Sequence, residues 1–107
     1  MVDDARKLEE QTTQRRAGVL GLNYFDTSAN EKKLYKDILS VAELYRLKVV
    51  PLAADEYHIH FGLTTTTAQQ IIKQLTDRFS DQRLRFSIIS ETGFKDYMKL
   101  YDPPIKV

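Results

Sequence analysis

Lys48 to Thr67 reads KVVPLAADEYHIHFGLTTTT, and this stretch decides the fold. In its second half Tyr57, Ile59, Phe61 and Leu63 alternate strictly with His58, His60 and Gly62, the period-two pattern of a half-buried strand. The β-branched pair Val49 and Val50, followed by Pro51, predicts a preceding strand, and Pro51 predicts an edge or a bulge there because it cannot donate to a ladder. Ala54, Asp55 and Glu56 form a turn short enough to make the two strands antiparallel neighbours. One face of this hairpin builds a core, so the function of the chain lies in what the other face meets.

Outward from the hairpin, helical and extended patterns alternate. Residues 3 to 20 are expected to be helical, with Asp3 and Asp4 complementing the N-terminal dipole and Gly21 stopping the helix after Leu20. The polar run from Glu9 to Arg16 leaves the first half of that helix projecting into solvent or docked on something outside this chain, and only Arg16 to Leu22 is committed to the core. Asn23 to Thr27 (NYFDT) reads as a short strand. Ser28 with Glu31 has capping-box spacing, and Leu34, Tyr35, Ile38, Val41, Ala42 and Tyr45 recur at helical intervals, predicting a helix that ends near Leu47.

After Leu63 the threonines supply an expected N-cap, with Thr66 and Gln69 or Thr67 and Gln70 in capping-box spacing. Ala68, Ile71, Ile72, Leu75 and Phe79 then mark the buried stripe of a helix ending near Ser80. Leu84 to Ser90 (LRFSIIS) alternates as a strand, parallel to the second hairpin strand if the helix is a right-handed crossover. Ser90 caps a last helix whose apolar face is Phe94, Tyr97, Met98 and Tyr101, and Asp102, Pro103 and Pro104 end it. The order is a helix, then split β-α-β-β-α-β, then a helix, the ferredoxin-like order of an α+β domain with a small mixed three- or four-stranded sheet packed with helices. The expected core is Ile38, Val41, Tyr45, Val50, Ile59, Phe61, Ile72, Leu75, Phe86 and Ile88. Residues 1–14 read as an N-terminal helical extension, 15–102 as the interaction domain, and 103–107 as the start of a linker.

Composition narrows the function. The chain has 107 residues, 42% hydrophobic and 29% charged, the profile of one soluble globular domain. No apolar run is long enough for a membrane span, and the N-terminus lacks the apolar segment of a signal peptide, so a cytoplasmic domain is expected. There is no cysteine, which excludes disulfides and thiolate metal sites. With 16 Lys plus Arg against 15 Asp plus Glu, the chain as a whole has no attraction for nucleic acid or anionic lipid.

The four glycines, Gly18, Gly21, Gly62 and Gly93, form no phosphate-cradling pattern, so ATP hydrolysis by this chain alone is not expected. His58 and His60, with Asp55 or Glu56 as a third ligand, offer the only arrangement resembling a zinc site, and solvated surface histidines account better for the pair. Threonines 64 to 67 are read as a strand exit and helix cap, not as nucleophiles. The open sheet face shows His58, His60 and Arg85, with Arg83 beside them. It is read as a solvated or partner-covered face rather than an anion site, with an RNA-binding ferredoxin-like module as an alternative.

The succession RRAGVLGLNYFDTS (Arg15 to Ser28), AELYRLKVVPLAADEYHIHFGLTTTT (Ala42 to Thr67) and RFSIIS resembles the N-terminal domain of type II secretion and type IV pilus assembly ATPases. Its Arg-x-x-x-Val-Pro-Leu strand is matched by Arg46 to Leu52. The resemblance covers roughly residues 15 to 104 and rests on the order and spacing of the segments. It implies a non-catalytic docking or regulatory domain, tethered to a hexameric motor and contacting the cytoplasmic part of an inner-membrane platform protein, with no cofactor. Some members bind cyclic di-GMP through Arg-Leu-Gly-x-x-Leu-type motifs. The nearest counterpart is Arg15-Arg16-Ala17-Gly18-Val19-Leu20, where Ala17 replaces the leucine and the upstream copy is absent. Nucleotide contact through Arg15 and Arg16 is therefore the alternative reading, and His58, His60 and Arg85 are the candidate docking face.

Overall fold

A computed structural model describes residues 2–28 and 32–103. Helix α1 runs from Val2 to Leu20 and stops as expected: Gly21 has φ +73°, the Leu22 N–H donates to the Ala17 carbonyl at 3.0 Å, and the Gly21 N–H to the Gly18 carbonyl at 3.2 Å. This paired closure satisfies carbonyls that the helix end leaves open and needs a left-handed residue, which glycine supplies without steric penalty.

The polar first half of α1 does not project freely. Arg6 bridges to Asp96 at 3.2 Å and donates to the Thr27 hydroxyl at 3.3 Å. The Glu9 carboxylate accepts from the Thr92 N–H at 3.1 Å and from its hydroxyl at 2.5 Å, and Glu10 accepts from Arg6 and from the Tyr24 hydroxyl. Burial pushes the Tyr24 hydroxyl pKa up, and the Glu10 hydrogen bond adds to that. Charged and hydroxyl groups therefore fasten this half of the helix, and a search for apolar periodicity cannot register them.

Strand β1 is short, Asn23–Tyr24. The helix expected from Ser28 is not there: Glu31 lies outside the described residues, and residues 32–39 are irregular. Helix α2 is Val41–Leu47, capped by Ser40, whose side chain accepts from the Glu43 N–H at 3.2 Å while the Glu43 carboxylate accepts from the Ser40 N–H at 3.1 Å. Ser40-x-x-Glu43 thus forms a complete capping box. The stretch before it buries Leu39, and the Tyr35 N–H donates to the Tyr101 hydroxyl at 2.7 Å. Starting the helix at Ser40 turns Leu44 inward and leaves Tyr45 47% exposed, so Tyr45 is not the core residue expected.

Glu43 also receives the Arg78 guanidinium from α3. That hydrogen bond, followed by the Ser40 N–H, draws its pKa from 4.5 down to about 2. A depressed carboxylate pKa adds stability that is complete above the unfolded value and is lost as pH falls through the folded one. Thermal unfolding is expected to show Glu43→Gln lowering Tm at neutral pH, with the gap to the natural chain closing between 4.5 and about 2. Parallel acid profiles for the two chains would rule this pair out as a contributor.

Strands β2 (Val49–Ala54) and β3 (His58–Leu63) form the predicted antiparallel hairpin. Asp55 closes its turn by accepting the Tyr57 and His58 N–H groups, each at 2.8 Å. Tyr57 belongs to that turn and is 68% exposed, so the core face of the strand begins at Ile59. The register slips between Pro51 and Ala53, giving the irregularity expected at Pro51 on an edge strand.

The threonines do not cap a helix. Thr67 Oγ1 accepts the Thr64 N–H at 3.0 Å and donates to the Lys48 carbonyl at 2.7 Å, which folds residues 64–67 into a turn. Helix α3, Gln70–Arg78, starts after it with no side-chain cap and buries Ile71 and Leu75. Strand β4 is Arg83–Ile88, and α4, Glu91–Tyr101, is capped as predicted by Ser90, whose hydroxyl accepts the Gly93 N–H at 2.9 Å. Its buried face includes Phe94, Tyr97, Met98 and Tyr101, the residues expected there.

The result is an α+β domain with a four-stranded mixed sheet in the order β1-β4-β3-β2. The chain order matches the expected β-α-β-β-α-β. In space β3 and β4 are parallel, as the crossover through α3 predicts, but they are direct neighbours, without the intervening strand of the split unit expected from the ferredoxin-like order. On one face Phe61 lies 5.9 Å, centroid to centroid, from both Phe79 of the α3 end and Phe86 of β4. At Gly62, on the other face, a Cβ would lie 3.1 Å from the Ile89 and Leu52 side chains, so the layer fits closely there.

Candidate functional site

The parallel register sets His58 beside Arg83 and His60 beside Arg85 on one sheet face. His58, His60 and Arg85 line one cleft of about 330 Å³ together with Tyr35 from the irregular segment and Ala53 and Ala54 from β2. The predicted docking residues are thus brought together, and the segment at Tyr35 narrows the face they share.

The two histidines differ in chemistry. His58 is exposed, with Nδ1 3.2 Å from Asp55, whose carboxyl is held below its ordinary range by the Tyr57 and His58 N–H groups. His60 is half-buried, its Nε2 2.8 Å from the Ser87 hydroxyl and its ring edge-on to Phe25 at 5.6 Å. Burial, then the charge of Arg85, lowers the His60 pKa, disfavouring the charged ring. The imidazoles have separate partners, and among the described residues no three His, Asp or Glu side chains gather as a metal site.

Arg15 and Arg16 lie exposed on α1. Arg16 borders a shallow cleft with Glu9, Thr65 and Glu91, and this cleft shares no residue with the histidine cleft. Two carboxylates beside one guanidinium make it a poor seat for a doubly charged nucleotide.

A groove that sequence reasoning missed lies between the end of α1 and the start of α3, above the C-terminal ends of β3 and β4. Leu20, Leu22, Leu63, Ile72 and Ile88 form its apolar walls and Thr65, Gln69 and Lys73 its polar rim, enclosing about 460 Å³. It opens at the carboxyl ends of parallel strands, the side on which open α/β sheets bind ligands. The threonine turn forms one side and is pinned from behind: Thr66 donates to Glu91 at 2.7 Å and receives Lys48 Nζ at 3.0 Å. The available signal was the apolar pair Leu20 and Leu22 flanking Gly21 at the helix end, both of which line the groove.

No protein-family model matches the chain, and no curated protein matches it. Solved structures do. The class is an α+β domain with a mixed sheet of parallel β1, β4 and β3 and antiparallel β2. The particular fold is shared with the N-terminal domain of XpsE, at TM-score 0.65 and 13% identity, covering 85% of this chain and 65% of that one. It is also shared with MshE, solved with cdg, at TM-score 0.69 and 19% identity, covering 87% of this chain and 68% of that one. The chain thus spans about two thirds of each of these structures, and the likeness is one of fold.

Proposed function

We propose that the chain is a non-catalytic docking and regulatory domain of a type II secretion or type IV pilus assembly ATPase, joining the motor to an inner-membrane platform protein on its cytoplasmic side. The observation that carries this reading is the fold shared with the XpsE N-terminal domain and with MshE, which stand in the family the sequence resembles. Its surface is consistent with docking: it offers an apolar groove and a histidine-arginine face, and no helix of the described residues is long and apolar enough to cross a membrane.

The platform protein's cytoplasmic part, mixed with this chain, is expected to co-elute as a complex in size-exclusion chromatography with light scattering. Separate elution at concentrations tens of times above a micromolar Kd would remove the docking reading. Cyclic di-GMP is the second reading, because MshE was solved with cdg. Labelled cyclic di-GMP in the same titration is expected to stay free, since Arg16 shares its cleft with Glu9 and Glu91. Binding reversed by Arg16→Ala would make nucleotide sensing the better account.

A further inference from the structure

Strand β1 pairs with Ser87 and Ile88 of β4, a register in which the Phe86 carbonyl takes the Asn23 N–H, so Arg83 to Arg85 has a neighbouring strand on one side alone. Backbone hydrogen bonds show which groups face the open side. The Arg83 N–H donates to the Tyr57 carbonyl and the Ile89 N–H to the Leu63 carbonyl, each at 2.7 Å, so the odd-numbered residues turn towards β3. Successive residues of a strand alternate in this respect. Leu84 and Phe86 therefore turn their N–H groups away from β3, as Ile88 does its carbonyl, which accepts from the Phe25 N–H at 2.9 Å on the β1 side.

The side chains along this edge alternate as well. Arg83 and Arg85 are exposed on the histidine face, and neither forms an ion pair among the described residues. Leu84 and Phe86 are partly buried on the α3 face. The sheet's other edge, β2, carries a proline and a bulge, devices that discourage pairing. The free part of β4 has neither.

We propose that Arg83 to Phe86 is a strand-addition site for an extended segment of a partner protein in which acidic side chains alternate with apolar ones. The segment continues the sheet where β1 leaves off, pairing with the outward N–H and carbonyl of Leu84 and the outward N–H of Phe86. Its carboxylates face Arg83 and Arg85, and its apolar side chains extend the layer of Leu84 and Phe86. Charge decides the occupant: a second copy paired along the same edge sets arginines against arginines, and like charges across a strand pair are destabilising. The inference rests on the docking reading above and gives the partner's chemistry.

The test is an NMR titration of the isotope-labelled chain with a peptide of alternating glutamate and valine, beside a lysine-valine peptide of equal length. The acidic peptide is expected to shift the amide signals of Arg83 to Phe86, slow hydrogen exchange at Leu84 and Phe86, and weaken as salt rises; the basic peptide does none of this. Arg83→Glu with Arg85→Glu is expected to exchange the preference for the two peptides. Leu84→Pro removes one outward donor while leaving the β3 ladder intact, and is expected to weaken the acidic peptide about tenfold. The charge reversal decides the matter if the proline variant does not fold. Equal response to both peptides, shifts away from β4, or no response overturns the proposal. If the acidic peptide fails while the platform fragment still binds, strand addition is wrong and docking stands; if neither binds, both fall.

Discussion

Phe61→Ala is expected to remove about 3–5 kcal/mol of folding stability, the largest effect of any single truncation in this chain. Phe61 is fully buried at the centre of β3, with the Phe79 and Phe86 rings each 5.9 Å away. Its loss combines the transfer free energy of a large aromatic side chain with the cavity left behind. That cavity cannot close easily, because β3 is held by strands on both sides. A domain of this size has about 5–15 kcal/mol in total, so the variant is left marginal. In urea the midpoint should fall sharply with little change in slope, as expected when stability changes and the exposed surface does not. A loss under about 1 kcal/mol would mean that the layer between the sheet and α3 repacks freely.

Gly93→Ala is expected to destabilise, against the usual gain of about 0.5–1 kcal/mol for replacing a helical glycine. Gly93 lies in the first turn of α4, where an added Cβ would collide with Thr27 Oγ1 and lie 3.2 Å from Thr27 Cβ and 3.1 Å from Ser90 Oγ. Thr27 is buried and receives Arg6 from α1, while Ser90 caps the same helix through the Gly93 N–H. Moving either hydroxyl disturbs the fastening of α1 or the cap of α4, and overpacking of this kind costs about 1–3 kcal/mol. Thr27→Ala should recover part of the loss in the double variant, a coupling that two independent sites would not show. Neutral or improved stability in Gly93→Ala would show that the contact between α1, Thr27 and α4 is loose.

The comparison of sequence with structure separates along physical lines. Signals complete within a few residues were legible: the stop at Gly21, the Asp55 turn, the Ser90 cap, the disturbance at Pro51, the alternation from Ile59 to Leu63 and the apolar face of α4. The order of elements followed from them, and the resulting fold is shared with the XpsE N-terminal domain. Where two local solutions were equally good, local reasoning had no means of choosing. Ser28-x-x-Glu31 and Ser40-x-x-Glu43 are the same cap in sequence. The burial of Leu39 and Leu44 and the bond from Tyr35 to Tyr101 accompany the second, and Tyr45 turns outward with it.

For the candidate site, the strand register made His58, His60 and Arg85 neighbours, as alternation alone had suggested for the histidines. The groove between α1 and α3 was invisible because its walls come from Leu20, Leu63, Ile72 and Ile88, residues far apart in the chain. The sequence by itself determined the hairpin, the helices' apolar faces and the chain order, because period, caps and turns are local properties of the backbone. Only the tertiary structure decided that α2 starts at Ser40, that the threonines make a turn, that polar groups fasten α1, and that the edge of β4 stays open. Each of these depends on a partner distant in sequence, and the free energy of such a contact exists only once the chain has brought its two ends together.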